Sequence, residues 1–456
     1  MLDAITPQPV AFDGLFPKPL VAAFDQSVSS SDAGAVLLRA ADEQLGLTRH
    51  LAAALVDARA AGRVQHSLHD LLRQRVYAIA CGFEDGNDAA RLRHEPLHKL
   101  LLDRDPITGA DLASQPTLSR FENGFSARSA LRLARALGER VIEQQRARRR
   151  GKARRITIDL DGTDDPTFGA QQGSFFHGYY GHHCLLPLLA FMQFDSEAEQ
   201  HLLSAVLRPG NAHGSDGAVP LLKRLLPSLR RAFPKARLRL RLDGGFAHPS
   251  VFTYLEREGL EYVCAIASNE VLKRLAADDM ALSRAHSAES GESERRFGHG
   301  RYRAKGWPHA RRVVYKAEVV HYRGRDARDN ARYLITNLHA DPEVIYRRVY
   351  AARGDIENRI KELLHGVALD RLSCSDFLAN QARLILHAAA YVLYQEVRHH
   401  ARGTDLAHAQ VTTLRERLIK LAGSLHVSAK RITLHLPTTA PWRNEWAHIA
   451  HSLNTT

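Results

Sequence analysis

Between Asp32 and about Gln145 the apolar residues recur at helical spacing, as in Ala35, Leu37, Leu38 and Leu45 and then Leu51 and Leu55, which predicts a mainly helical N-terminal region. That region closes on a run of positive charge, Arg146-Ala-Arg-Arg-Arg-Gly-Lys-Ala-Arg-Arg155. The period then changes. Ile156, Ile158 and Leu160 alternate with Thr157, Asp159 and Asp161, the pattern of a half-buried strand. Further strand-like segments lie near Cys184–Phe194, Arg237–Leu242 and Tyr262–Ala267, with helix-like stretches Gly217–Phe233 and Pro249–Glu258 before the last two. Strands alternating with helices predict a mixed α/β core.

From about Asn269 to Asn330 the pattern differs: a polar, Ser/Glu-rich loop precedes Arg311–Tyr322, which is rich in Val and Tyr and β-like, and the whole is read as an insertion. A last strand, Arg332–Thr336, leads to Asp341-Pro342, a helix start with Asp341 as N-cap and Pro342 at the first helical position. Helical pattern then continues to about Ala422, and Ile432–Leu436 is a candidate for one further strand.

Composition narrows the function classes. The chain has 456 residues, 45% hydrophobic and 25% charged, enough for two or three domains with a real core. Sixty-three Lys and Arg against 50 Asp and Glu leave a formal charge of +13, a field that attracts polyanions such as nucleic acid. Many soluble proteins are mildly basic, so charge alone does not decide this. The run 146–155 is a solvated linker or a phosphate-contacting segment, and its place beside the first strand favours the second. Four cysteines without a CxxC pair suggest neither a disulfide framework nor a zinc module and fit a reducing cytoplasm. The opening MLDAITPQPVAFDGLF lacks a basic n-region followed by an apolar h-region, and Cys184–Phe194 is too short to span a bilayer, so neither export nor membrane insertion is expected.

Three acidic constellations carry chemistry. Asp159-Leu-Asp-Gly-Thr-Asp-Asp165 closes the first strand, where carboxylates of one face converge beyond the sheet edge. Mg²⁺ takes a few hard oxygen ligands and keeps waters, so two or three carboxylates from separate segments suffice to hold it. Taken alone, the same residues are turn formers. In Arg237-Leu-Arg-Leu-Arg-Leu-Asp243-Gly-Gly-Phe-Ala, three Leu share one strand face, while Arg237, Arg239, Arg241 and Asp243 share the other. Gly244 and Gly245 leave space beside the carboxylate for a phosphate or metal, although Asp243 also suits a helix cap. Tyr350, Arg353, Glu357 and Lys361 are spaced to share one helix face, with Glu357 flanked by cations a turn away on each side. Such cations hold DNA phosphates while the acid supplies a metal oxygen; on spacing alone an ordinary ion-paired surface helix is the better explanation.

The segments LDGTDDPTFGAQQGSFFHGYYGHHC, LDGGFAHP with a later strand ending in SN, TNL, YxxRGxIENRIKE and DRLSCSDFLANQARL together resemble bacterial insertion-sequence transposases of the DDE type. More narrowly they are similar to insertion-sequence family thirteen-eighty, a relative of the group whose sheet is interrupted before the last acidic residue. ASQPTLSRFEN in the N-terminal region also looks familial, so the resemblance covers most of the chain. It implies a ribonuclease-H-like catalytic core interrupted by a β-rich insertion and preceded by a mainly helical DNA-binding region. The expected division is residues 1–150 for inverted-repeat binding, 151–270 for the first part of the core and 271–330 for the insertion. Residues 331–400 would be the second part of the core with the Glu-bearing helix, and 401–456 a C-terminal region.

Carried over by motif, the catalytic and metal-binding residues are Asp161, Asp243 and Glu357, holding two Mg²⁺ ions for which Mn²⁺ would substitute. Asp159 lies on the same strand face as Asp161 and competes with it; Asp161 is preferred because it is nearer the strand's end and because Asp-Gly-Thr resembles the motif of related transposases. Tyr350, Arg353 and Glu357 match a Tyr-x2-Arg-x3-Glu signature, and Tyr350, Arg353 and Lys361 are the expected DNA contacts. The wider signature places its Lys seven positions after Glu, here Leu364, whereas Lys361 matches the narrower ENxIKE form. Asp164 and Asp165 are read as turn residues, and His177, His182, His183 and Cys184 as a hairpin without zinc. Trp307 is read as packed, though an aromatic ring there would also suit stacking on an unpaired base. Asn269 and Asn337 are read as margin residues of the active site. The implied protein is a bacterial, cytoplasmic enzyme, nucleoid-associated when on DNA, that binds inverted repeats and target DNA as a homodimer, cuts element ends and joins them to target. The alternatives are a nuclease of this fold that cuts without joining and an inactive DNA-binding relative.

Overall fold

Ile156, Ile158 and Leu160 are fully buried on one face of β1 (Arg155–Gly162), as their alternation predicts. The computed structural model describes residues 8–12, 17–18, 20–322 and 325–454; part of the N-terminal stretch on which the expectation of no export leader rests lies outside them. No helix among the described residues is long and apolar enough to cross a membrane.

β1 pairs antiparallel with β2 (Leu188–Phe194), and β2 antiparallel with β3 (Gln200–Val206). On the other side of β1 lie β4 (Arg237–Leu242) and β5 (Glu261–Ile266), each parallel to its neighbour. The sheet continues antiparallel through β8 (Arg332–Thr336), β7 (Arg311–Val320) and β6 (Glu294–Tyr302). Its order is therefore 3-2-1-4-5-8-7-6, with the short strand Arg328–Asp329 beside β7. The first five strands, in the order 3-2-1-4-5 with β4 and β5 parallel to β1, form the centre of a mixed α/β fold, and the strands after β5 extend that same sheet. Parallel neighbours need a crossover. The β3–β4 and β4–β5 crossovers carry the helices Ala218–Ala232 and Pro249–Arg257.

The apolar face of β1 and β4, with Leu238, Leu240 and Leu242, belongs to the main core, which also holds Leu222, Leu225 and Leu229 of the first crossover helix and Phe252 of the second. A second, smaller core forms where Val263, Val314 and Leu334 of the sheet meet Ile345, with Tyr346, Val349 and Tyr350 packed against it. This second core fixes the approach to the segment that carries Glu357.

The N-terminal region is helical as expected, with α1 (Leu68–Ala80) and α2 (Ala127–Arg149) its longest helices. The 24-residue helix Phe377–His400 is buried along almost its whole length and joins this region to the core. One knot of charge secures the junction. Glu122, about 1% exposed, accepts Arg75 Nε at 2.7 Å and Arg383 Nε at 2.7 Å, from α1 and the long helix respectively. Burial works against the Glu122 charge, but the two guanidiniums outweigh it and hold its carboxyl below the ordinary value.

Four expectations are corrected. The polar stretch after Asn269 is not a loop: Ala277–Ser290 is a helix whose Ser283 and Ser287 are buried and bond the carbonyls of Ala317 and Glu292, so polar residues form its inner face. Cys184–Phe194 divides at Pro187 into His182–Leu185, which pairs in a small separate sheet, and β2. β3 and β6 were not predicted. β3 is buried at nearly every position and so has no period, while β6 is mainly polar and depends on Gly298, where a Cβ would come 2.3 Å from the Tyr315 hydroxyl. Finally, the segment after Asp341 starts as expected, with the Asp341 carboxylate accepting the Glu343 and Val344 N–H groups, but it is not one regular helix. A π turn over Ile345–Tyr350 and a 3₁₀ turn over Ala351–Arg353 precede the regular helix Gly354–Val367. Ile432–His435 does form a strand, paired with Gly423–Val427.

Neither Asp164 nor Asp165 lies in a turn, contrary to the sequence expectation: Asp164 follows β1 in irregular backbone, and Asp165 starts a two-residue strand against Leu185. Both Asp165 carboxyl oxygens are buried without a hydrogen-bond partner among the described residues. Burial, and then the charges of Asp370 and Asp164, push its carboxyl up to about 9.

Two outcomes are expected. Glu122→Gln strands two buried guanidiniums and costs about 3–5 kcal/mol of stability, read from the urea midpoint. Because Asp165 titrates higher when folded, the native protein keeps a proton that the unfolded chain has released between about pH 4 and about pH 9. Stability is therefore full below that window and falls as pH rises through it, by about 1.4 kcal/mol per pH unit relative to Asp165→Asn. Equal pH slopes for the wild type and that variant would refute this.

Candidate active site

β1 and β4 run in register, with Asp159 opposite Arg241. Two residues further along each parallel strand stand Asp161 and Asp243, side by side at the C-terminal edge of the sheet. Asp161 is 8% exposed and its Oδ1 accepts the Gly162 N–H at 3.0 Å. Asp243 is more open and caps the short turn Gly244–Phe246 by accepting the Gly245 N–H at 2.9 Å.

Arg353 joins the two acids. Its Nη2 lies 2.8 Å from Asp161 Oδ2 and 3.6 Å from Asp243 Oδ2. Burial opposes its charge, but the Asp161 and Asp243 carboxylates hold its pKa above the ordinary value. Glu357 is exposed in the first turn of the helix that follows. Burial pushes the Asp161 carboxyl up to about 6; Arg353 opposes that shift, while the charges of Asp243 and Glu357 add to it. Two carboxylates, Asp161 and Asp243, thus meet at a single guanidinium whose Nε is buried and unpartnered among the described residues, and the charge of Glu357 acts on Asp161 from further off. That surplus of negative charge on hard oxygen donors fits a divalent cation.

The three carboxylates are not closed into a cage. Among the described residues, one group of His, Cys, Asp and Glu has its ligand atoms all within 4.8 Å: Asp32, Cys81 and His98, far along the chain from Asp161. There the Lys420 ammonium lies 2.7 Å from Asp32 Oδ1, His98 Nε2 lies 3.2 Å from Oδ2, and burial pushes the Cys81 thiol up. An occupied carboxylate and a neutral thiol make this cluster an ionic cross-link between the N- and C-terminal parts of the chain.

Asp159 stands apart from Asp161 chemically. It is fully buried, Arg241 donates to both its oxygens at 2.6 Å, and Gln200 Nε2 donates to Oδ2 at 2.8 Å. The same guanidinium donates to Gln193 Oε1 at 2.7 Å and to the Val349 carbonyl at 3.3 Å. Arg241 therefore ties β1 and β4 to the distorted turns that lead to Arg353 and Glu357. Sequence reading placed Arg241 on the face of Asp243 but missed this role, because the strand register that aligns it with Asp159 is not visible in a single strand.

The remaining candidates divide. Tyr350 is half-buried with its ring 6.0 Å from that of Tyr346, and burial pushes its hydroxyl up to about 12. Arg353 is turned inward onto the acids, whereas Lys361 is exposed one turn beyond Glu357 on the regular helix. The even spacing of all four residues on one face does not hold, because the π and 3₁₀ turns lie before Gly354.

Asn269 lies three residues past the end of β5, where it caps the next helix by accepting the Val271 and Leu272 N–H groups and donates to the Tyr302 hydroxyl at 3.0 Å. Asn337 is not at the active-site margin. Because β8 runs antiparallel to β5, Asn337 falls at the opposite edge, bonded to the Tyr262 N–H and the Leu260 carbonyl. Trp307 is 6% exposed, packed edge-on against Phe252 and Tyr302. In the basic run, Arg148 pairs with Glu396 and Arg149 with Glu197, and Arg155 lies 3.4 Å from Glu261. Arg146, Arg150, Lys152 and Arg154 are exposed.

Among solved structures, a piggyBac transposase synaptic complex with hairpin DNA is similar with a TM-score of 0.40 and 12% identity, covering 84% of this chain and 79% of that one. No curated protein matches the chain. The family model of the transposase DDE domain, group 1, matches residues 12–456. That match takes in both acidic strand ends, the Glu-bearing helix and nearly all of the chain, which therefore belongs to the group 1 DDE-domain transposases.

Proposed function

We propose that this transposase serves a bacterial insertion sequence similar to family thirteen-eighty, cutting DNA strands at the element's ends and joining them to target DNA. The observation that carries the reading is the Asp161 and Asp243 pair at one sheet edge, bridged by Arg353, with the charge of Glu357 felt at Asp161. Asp161, Asp243 and Glu357 would hold divalent ions, Mg²⁺ in the cell. Bound there, such ions activate a water or a 3′-hydroxyl and stabilise the leaving oxygen.

The chain's own groups set up the reaction. Arg241 and Asp159 hold the two strand ends level, so both strand-end carboxylates present their oxygens from a fixed frame. Arg353 balances part of their charge until substrate and cations arrive, and its guanidinium is then free to take a phosphate oxygen. Lys361, exposed one turn past Glu357, supplies a second phosphate contact. The helical region before residue 150 and the exposed cations of the run that follows bind the inverted repeats, partly through phosphates. Two protomers would bridge two DNA ends.

Asp243→Asn is expected to fold normally, since Asp243 is partly exposed, and to lower cleavage of labelled element-end DNA in Mg²⁺ by at least about a thousandfold, or about 4 kcal/mol. Undiminished cleavage would remove Asp243 from the site. The same assay on the wild type separates the alternatives: cutting with joining supports a transposase, cutting alone a nuclease, and binding with neither an inactive relative. In a salt titration of duplex binding, replacing Arg150 and Arg154 with Ala is expected to lower the slope of log K against log salt by about 2, since each phosphate left unneutralised removes about 0.9. An unchanged slope would make the run a linker.

A further inference from the structure

The segment between β1 and β2 folds into a hairpin of Phe175–His177 against His182–Leu185, and its rings face outward. Phe168 is 94% exposed, Tyr179 87%, Phe176 59% and Phe175 45%. Several of these rings pack with histidines beside them in two groups, Phe176 with His183, and Tyr179 and Tyr180 with His177 and His182. Phe176 meets His183 edge-on at 5.6 Å, Tyr179 meets Tyr180 at 5.0 Å, and Tyr180 lies between His177 at 4.9 Å and His182 at 6.1 Å.

The array is built on a firm base. A Cβ at Gly210 would come 2.1 Å from the Cys184 carbonyl oxygen and 2.8 Å from that of Phe175, so the hairpin lies directly on the chain after β3. Gln171 Nε2 donates to the Leu372 carbonyl at 2.6 Å, and the Gln172 N–H donates to the Ser375 carbonyl at 2.9 Å, fastening the hairpin to the lead-in of the long helix. It also adjoins the carboxylates. His182 Nε2 lies 2.9 Å from Asp164 Oδ2, three residues past Asp161, and burial with the charges of Asp164 and Asp161 pushes the Tyr180 hydroxyl up to about 12.

Composition indicates what covers these rings. Residues 167–183 contain no Asp, Glu, Lys or Arg and no Leu, Ile, Val or Met; their apolar surface is almost wholly aromatic, interleaved with Gln, Ser and His. A protein partner's core or a lipid surface would be matched by aliphatic side chains as well. Flat rings among hydrogen-bonding groups, without acids to repel a phosphate backbone, match nucleobases. Trp307, the other candidate for such stacking, is enclosed.

We propose that this aromatic hairpin is a stacking platform for unpaired nucleobases. A DNA strand end would reach Asp161 and Asp243 with its terminal bases splayed from the duplex and laid on Phe176 and Tyr179. The inference rests on reading the neighbouring carboxylates as a DNA strand-transfer site.

The test uses the full chain without divalent metal, so that binding is read apart from cleavage. Its probes are a fluorescent blunt duplex and the same duplex carrying an unpaired oligothymidine end. The wild type is expected to bind the frayed probe more tightly. Phe176→Ala and Tyr179→Ala should each weaken that binding by about fivefold or more, leaving blunt-duplex affinity and thermal unfolding unchanged. Tyr179→Phe should retain the affinity, whereas Tyr179→Leu, apolar but without a ring, should lose it. Equal effects on both probes, or none, would overturn the platform. So would a change in sedimentation mass on losing the rings, which would make the face an interface between copies. The outcome is independent of Asp243→Asn: intact cleavage by that variant would sink the active-site assignment and leave these affinities as measured.

Discussion

Arg241 and Asp159 face each other across adjacent parallel strands, buried, with both oxygens of the acid engaged by one guanidinium. A charge so far from water is tolerable only if its partner is held in place, so the pair admits one register between β1 and β4. A slip of β1 by one residue would turn Asp159 to the apolar face, away from Arg241, and separate Asp161 from Asp243. The third anchor of Arg241, the Val349 carbonyl, extends this constraint to the segment that brings Arg353 and Glu357. The buried pair thus sets the placement of Asp161 and Asp243 while its own charges are taken up by each other.

The site itself is assembled at a cost. Asp161 is buried near Asp243, with one arginine to offset it, and burial above all, then the charge of Asp243, raises its carboxyl to about 6. Structural ion pairs elsewhere in the molecule are balanced differently: Glu122 has two arginines and sits below its ordinary value. Asp159, which has one arginine, and Asp165, which has none, are raised by burial as Asp161 is, so the direction of each shift follows how many cations offset the burial. Distorted turns before the Glu-bearing helix belong to the same design. A π turn followed by a 3₁₀ turn shifts Arg353 inward onto the acids and leaves Lys361 outside.

The inserted strands do not form a module apart. β6, β7 and β8 continue the core sheet past β5, and the small core of Val263, Val314, Leu334 and Ile345 lies between this extension and the turns before Glu357. Val314 of β7 and Leu334 of β8 thus pack on Ile345 and support the turns that lead to Glu357.

The amino-acid sequence by itself determined the alternation that makes β1, β4 and β5 strands, the helices between them, and the motif acids at their ends, because these are local consequences of side-chain period and residue type. Even Asp341 and Pro342 marked their helix start correctly. Only the tertiary structure decided which acid of β1 is open and which is consumed, since Asp159 and Asp161 share a face and differ by what the next strand places opposite them. It likewise moved Asn337 to the far edge through an antiparallel pairing, enclosed Trp307, made a helix of a polar stretch and took up Arg148 and Arg149 in ion pairs. Each of these depends on partners far along the chain, and the meeting of distant segments has no local period to betray it.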